Sequence, residues 1–446
     1  MLLNIRNNSK GFILRLNKNK FRLIYSEKIW KNYSGNEKLF FIDNLAYSNT
    51  LCTPLVSGDK EIRYNTSKPF IKKYIDKSVL KDIPSAVEDY KISTSEMIKK
   101  FNEIKYFFKD NKIKNPTFSA GTYKKAVLPF SCGKDSLLTL AVCNEIGLDP
   151  VAVYFNDTVS FGENKLKIKS LKNINKRLGI KIEIVKNEIE KLNDFEFWEK
   201  EESVIGYSHL IFNFCLLSLP INYFYNAKYI ILGNEEGLNS KFRNKDGIWC
   251  YPSYDQSFEG TKRLNKIFNK VSNGKVQVTS VVSCIPDLVM MKALHGRYKE
   301  FGKYQSSCSC LDASKEKRWC CNCNDDVRFF VYMKAIGRDP RQIGINKNLF
   351  DKKYIKHHVI FNPSSKERYD KVIGNDEELK FAYYLAYKNA SRGYAIDLFK
   401  RKFLSEVKTK EDKLYKKYFR IANTSLIPRE IRKDVVSIYK EECSKF

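Results

Sequence analysis

Three groups of residues in this chain have the types and spacing to do chemistry. The first is Ser131-Cys132-Gly133-Lys134-Asp135-Ser136. An apolar run from Ala126 to Phe130 stops at it, and an apolar-rich run with helical spacing, Leu137 to Ile146, follows and is closed by Gly147. A strand, a short loop and a helix in that order aim the loop's backbone N–H groups at whatever sits above the helix N-terminus. The helix dipole favours an anion there, so phosphate is the natural guest. Lys134 adds a positive charge, and Ser131 and Ser136 add hydroxyl donors. The pattern is not a Walker loop, whose G-x-x-x-x-G-K-[ST] spacing would need a glycine at Leu128.

The second group is Gly233-Asn234-Glu235-Glu236-Gly237-Leu238-Asn239-Ser240, followed by Tyr254-Asp255-Gln256-Ser257-Phe258-Glu259. Glu235, Glu236 and Glu259 offer carboxylates for proton transfer, while Asp255 and Ser257 also suit the cap of the amphipathic helix that runs on through Leu264 and Phe268. The third group is Cys308-x-Cys310-x9-Cys320-Cys321-x-Cys323. Four thiolates make a closed tetrahedral zinc site, and Cys320-x-x-Cys323 has the spacing of a zinc knuckle. Cys310 and either Cys308 or Cys321 would complete it; an iron–sulfur cluster or a redox pair is the alternative.

These groups need elements to hold them. After the phosphate loop the chain alternates: strand Val151 to Phe155, helix Ile168 to Leu178, strand Ile180 to Val185, helix from Ser203 to Phe224, strand Tyr229 to Leu232. Such alternation implies a parallel sheet with right-handed crossovers, whose ligands sit beyond the carboxyl ends of the strands. Asn156 and Asp157 end the first of these strands, Val151 to Phe155, and Asn156 is placed to meet a nucleotide. Upstream, Phe12 to Leu16, Phe21 to Tyr25 and Leu39 to Ile42 read as strands, and Phe70 to Lys109 as helices interrupted at Pro84. Downstream, Val327 to Ile336, Glu377 to Arg392 and Asp397 to Val407 read as helices, and His357-His358 as part of a short strand-like segment with a structural role.

The phosphate loop resembles the S-G-G-x-D-S loop of the PP-loop ATP pyrophosphatase superfamily, with Cys132 where glycine is usual. The resemblance implies ATP bound by Ser131, Cys132, Gly133, Lys134, Asp135 and Ser136, attack on its α-phosphate, and release of AMP and pyrophosphate with Mg2+. The segments at Gly233 and Tyr254 and the downstream cysteines are similar in order and rough spacing to UDP-N-acetylmuramoyl-L-alanyl-L-glutamate epimerases, over about residues 126–335. That likeness implies activation and epimerisation of a terminal L-glutamate in a cell-wall precursor. Lys134, Asp135, Glu235 and Glu259 would then be catalytic, with Glu236 and Cys132 as further candidates for the base. Similar cysteine groups follow the ATP domain of 7-cyano-7-deazaguanine synthases, so a nucleoside- or tRNA-modifying enzyme is the first rival. A non-catalytic zinc-bound scaffold is the second.

The expected fold is therefore α/β: a mixed N-terminal domain over residues 1–115, a parallel-sheet PP-loop domain over residues 116–305, and a cysteine-cluster and basic helical region over residues 306–446. The 446 residues exceed one ordinary core. No apolar run reaches a membrane span, and the opening residues lack a signal-peptide core, so a cytoplasmic protein is expected. Twelve cysteines suit reduced thiols and a structural Zn2+ better than a disulfide scaffold. A net charge of +29 invites nucleic acid, but lysine is spread along the whole chain and no arginine-rich patch stands out. A small nucleotide-linked peptide is the expected partner, and nucleic acid is not favoured.

Overall fold

The computed structural model describes residues 1–33, 35–88, 90–119, 122–157, 161–200, 205–307, 317–365 and 376–444. Its strands are β1 (Leu2–Asn8), β2 (Gly11–Leu16), β3 (Asn19–Ile24), β4 (Glu61–Tyr64), β5 (Lys105–Phe107), β6 (Tyr123–Pro129), β7 (Val151–Asp157), β8 (Lys181–Asn187), β9 (Ala227–Leu232), β10 (Phe242–Arg243), β11 (Trp249–Cys250) and β12 (Gln277–Ser280). Ten of them form one mostly parallel sheet in the order β12-β9-β6-β7-β8-β3-β2-β1-β4-β5; β10 and β11 make a separate hairpin.

From β12 to β8 all neighbours are parallel, and β6 lies between β9 and β7. The chain leaves β6 toward β7 on one side and later returns to β9 on the other, so the carboxyl end of β6 is a topological switch point, where a crevice opens in sheets of this kind. The uninterrupted apolar run Ala126 to Phe130, which begins in the second half of β6, has a simple cause. Val127 packs into the core on one face of the sheet, while Ala126, Leu128 and Phe130 pack into the core on the other. Strands covered on both faces read as continuous hydrophobic runs rather than alternating ones.

The expected boundary at residue 115 does not interrupt this sheet. β3 pairs antiparallel with β8 through Leu23 and Asn187, and one buried core runs from Leu3 through Val278. Near the other end, the Arg429–Ser444 helix buries Ile431, Val435, Ile438 and Tyr439 in the same core as the phosphate-loop helix. A third core lies under residues 319–419 and takes in Leu288 and Met291.

Several local expectations need correction. Leu39 to Ile42 lies inside a 16-residue helix, Gly35–Thr50, with Phe40, Phe41 and Ile42 all buried. A four-residue apolar run fits a buried helix as well as a strand, and here the tertiary contacts decide. Pro84 does not interrupt its helix, Lys72–Ala86, but is the third residue from its C-terminal end, where a nearby Asn244 amide donates to the Pro84 carbonyl (2.8 Å). His357 ends a 3-10 turn, Lys352–His357, rather than a strand. Buried His358 is held by the Leu349 carbonyl (2.8 Å) and by the Tyr383 hydroxyl, in keeping with a structural role. Ser203, the expected start of a helix, lies outside the described residues; the helix that follows is Leu210–Tyr225. Among the described residues no helix is long and apolar enough to cross a membrane.

Candidate functional site

The loop from Ser131 to Gly133 joins β6 to the Lys134–Glu145 helix, with Gly133 as the N-cap residue. The loop is held by hydroxyls: Ser131 N–H donates weakly to Ser136 Oγ (3.4 Å), Ser136 Oγ donates to the Gly133 carbonyl (3.1 Å), and Gly133 N–H reaches Ser131 Oγ (3.4 Å). Cys132 sits at φ +62°, a left-handed conformation that explains why glycine is favoured at this position. Its side chain is fully buried in the apolar core, and burial pushes the thiol up to about 12. Burial therefore holds Cys132 as the neutral thiol, a form unsuited to act as a base.

Beside the loop is a cavity of about 370 Å³. Its lining includes a polar set: Ser131, Asp135, Ser136, Asp157, Glu163 and Lys167. Another set is apolar: Phe155, Leu210, Ile211, Phe214 and Leu232, with the Phe155 and Phe214 rings stacked at 4.8 Å. Gly233, Asn234 and Gln256 complete the rim from the second sequence group. Gly233 is required by close approach, because a Cβ there would stand 3.0 Å from Asp135 Cβ and 3.2 Å from backbone atoms of Asp135 and Ser136.

Lys134 does not line this cavity. Its side chain is buried and its Nζ contacts Asp135 Oδ1 (2.6 Å), Asp287 Oδ1 (3.1 Å) and Glu235. Burial opposes the ammonium charge, but Asp135, Asp287 and Glu235 outweigh it and push the Lys134 pKa up. Burial pushes the Glu235 carboxyl up against the pull of Lys134, whereas Lys134 and Arg328 overcome burial and hold Asp287 down. Lys134 and Glu235 thus form a buried electrostatic hub behind the loop.

The other expected site residues fall in different places. Asn156 is not among the cavity-lining residues; its neighbour Asp157 is. Glu259 is half-exposed and paired with Lys81, which holds its carboxyl below the usual range, and Tyr254 donates to it (3.2 Å). Ser257 caps the Phe258–Val271 helix by accepting from Gly260 N–H (3.0 Å), and buried Asp255 accepts from Ile211 N–H (3.0 Å). Glu236 pairs with Arg420 at 3.1 Å. Sequence reasoning missed Lys167, the cation in the cavity wall, which is paired with Glu163 four residues earlier on the Phe161–Leu178 helix. It also missed Asp287. A lysine on a lysine-rich helix and an aspartate in an apolar segment carry no local signal.

The cysteines divide. Cys320, Cys323 and Asp326 bring ligand atoms within 4.8 Å of one another, a group able to hold a metal ion. Backbone N–H groups point at both sulfurs, Asn322 to Cys320 (3.2 Å) and Asp326 to Cys323 (3.4 Å), an arrangement that favours thiolates. Cys321 is excluded from the group: its side chain packs in the third core, and burial pushes its thiol up. Cys308 and Cys310 lie outside the described residues. The segment leading to them is anchored at the phosphate loop, where Ser306 N–H donates to the Cys132 carbonyl (2.9 Å).

No family profile, curated protein or solved structure matches the chain. The fold and site define an α/β protein with a ten-stranded, mostly parallel sheet and a cavity lined by both polar and apolar residues at its switch point.

Proposed function

We propose that the chain is an ATP-dependent, AMP-forming enzyme that activates a carboxylate and thereby epimerises the terminal L-glutamate of a nucleotide-linked peptide such as UDP-N-acetylmuramoyl-L-alanyl-L-glutamate. One observation carries the nucleotide reading: the cavity lies at the carboxyl end of β6 and is lined by two kinds of residue, a polar set beside a helix N-terminus (the Ser131 and Ser136 hydroxyls, Lys167 and the carboxylates Asp135, Asp157 and Glu163) and an aromatic and aliphatic set. Phosphates suit the first set and a purine suits the second.

In this reading the acceptor carboxylate attacks the α-phosphorus and pyrophosphate leaves. Forming the acyl-adenylate mixed anhydride removes the carboxylate's negative charge, so the adjacent α-proton becomes more acidic; a base takes it, reprotonation from the other face inverts the centre, and water then cleaves the acyl–phosphate bond to release AMP and the product carboxylate. Asp157 and Glu163 are the base candidates because they line the cavity, which Glu259 does not. Asp135, which lines the cavity, would hold Mg2+, whose contribution would be to neutralise charge on the departing phosphates. Cys320 and Cys323 would supply thiolate ligands to a structural Zn2+.

The test is incubation with ATP, Mg2+ and the UDP-linked dipeptide in heavy water. AMP, pyrophosphate and a D-glutamyl product carrying deuterium at the α-carbon are expected. The nucleoside- or tRNA-modifying reading keeps a specific support, the hydrogen bond from Ser306, two residues before Cys308 in the sequence, to the Cys132 carbonyl. AMP release stimulated by unmodified tRNA but not by the UDP-peptide would establish it instead.

A further inference from the structure

A second cavity, about 590 Å³, opens between the Lys72–Ala86 and Phe258–Val271 helices. Its wall carries five cations: Lys73 and Lys77 one turn apart on the first helix, and Arg263, Lys266 and Lys270 along one face of the second. No carboxylate lines it. Elsewhere in the protein lysines commonly pair, as Lys72 does with Asp76 and Lys81 with Glu259, but these five have no salt-bridge partner among the described residues. Like charges gathered across a groove repel one another, and an anion seated among them relieves that repulsion.

Three further features specify the anion. The Arg263 guanidinium is fixed in place, with Nη2 donating to the Tyr74 carbonyl (2.9 Å), while its Nε is buried without a hydrogen-bond partner. Asn265 and Asn269 line the groove one helical turn apart; Asn265 Oδ1 is engaged by Val278 N–H (3.0 Å), which leaves its amide NH2 to donate. The Tyr74 ring lies in the same wall, with Lys73 Nζ 5.1 Å and Lys270 Nζ 5.5 Å from its centre. Cations for phosphate, amides for a base edge and an aromatic ring in one bounded groove make a site for a single nucleotide rather than a flat track for a polymer.

We infer that this groove binds a nucleoside diphosphate, separately from the phosphate-loop cavity. The two sites share an element. Gln256 lines the phosphate-loop cavity just before the Phe258–Val271 helix begins, and Arg263 lies seven residues on, about 10 Å along the helix axis at about 1.5 Å per residue. On the function proposed above, and resting on it, the groove holds the nucleotide end of the acceptor while the peptide end reaches the cavity.

The experiment measures binding of UDP to the whole protein by calorimetry in the presence of a saturating non-hydrolysable ATP analogue, which occupies the first cavity. One UDP per chain is expected, weakened at least tenfold in the triple variant Lys77→Gln/Lys266→Gln/Lys270→Gln, whose thermal unfolding should match the parent because all three lysines are exposed. Equal binding by parent and variant overturns the inference. So does inorganic pyrophosphate binding as tightly as UDP, which would make the groove an anion trap. A single-stranded RNA oligonucleotide that binds the groove while UDP fails to displace it would assign the surface to nucleic acid and likewise overturn it. Binding and turnover separate the two proposals: UDP binding without AMP formation fails the enzymatic reading alone, and AMP formation with an unchanged acceptor KM in the variant fails the groove alone.

Discussion

Lys134 Nζ lies 3.1 Å from Asp287 Oδ1, joining the first residue of the phosphate-loop helix to the first residue of the short Asp287–Lys292 helix. Both side chains are buried, and Glu235 closes the same cluster from the segment after β9. The lysine therefore acts on the loop from behind, by fixing two neighbouring segments against it.

Removing that charge should cost stability before it costs chemistry. Lys134→Met leaves Asp287 and Glu235 buried without their cation, a loss of about 3–5 kcal/mol. Adding Glu235→Gln should recover part of it. Urea unfolding of the single and double variants checks this; a Lys134→Met protein as stable as the parent would show that the hub is not formed.

Gly233→Ala tests the close approach at the cavity rim. Its Cβ would meet Asp135 Cβ at 3.0 Å and the backbone at the start of the loop helix at 3.2 Å, so the loop must shift. An overpacking cost of about 1–3 kcal/mol and weaker ATP binding are expected, measured by thermal unfolding and by calorimetry with a non-hydrolysable analogue.

Metal should follow Cys320 and Cys323 but not Cys321. Elemental analysis of freshly purified protein should find about one zinc per chain, lost in Cys320→Ser and Cys323→Ser and kept in Cys321→Ala. Loss of metal in Cys321→Ala with the other two variants loaded would reverse the assignment.

Stability should fall on acidification below about pH 6.5. Burial depresses His209, His295 and His358 to about 4, so between 4 and the ordinary value of 6.5 the unfolded chain binds more protons than the folded one. Their contribution is complete above pH 6.5 and is lost as pH falls through 4. His295 Nε2 donates to Gln305 Oε1 (2.7 Å). His295→Gln should flatten the pH dependence of the urea midpoint between pH 6.5 and 4; an unchanged slope would show that His295 titrates normally in the folded protein.

Burial acts in the opposite sense on Glu190, which it pushes up to about 8, with Asp157 adding to the rise. The folded state then holds a proton that the unfolded chain releases above about pH 4.5, so this contribution is present below pH 4.5 and is lost as pH rises through 8. Glu190→Gln should make the protein relatively more stable at pH 8 than at pH 5, read from the same urea midpoints.

The strand–loop–helix around Ser131 was legible in the sequence because its signals are local: an apolar strand covered on both faces, small and polar loop residues, and a helix closed at Gly147. The Cys320-x-x-Cys323 pair was legible for the same reason, since one turn of backbone sets both sulfurs. What distant segments do to each other was not. Lys134 and Glu259 have the composition of site residues, yet Asp287 and Lys81 claim them, and only the chain's path brings those partners close. Likewise, lysines that look evenly scattered along the sequence converge on one groove because two helices far apart in the chain lie side by side. Spacing along a chain fixes what neighbours within a turn or two can do; electrostatic partners and burial depend on distances that exist only after folding.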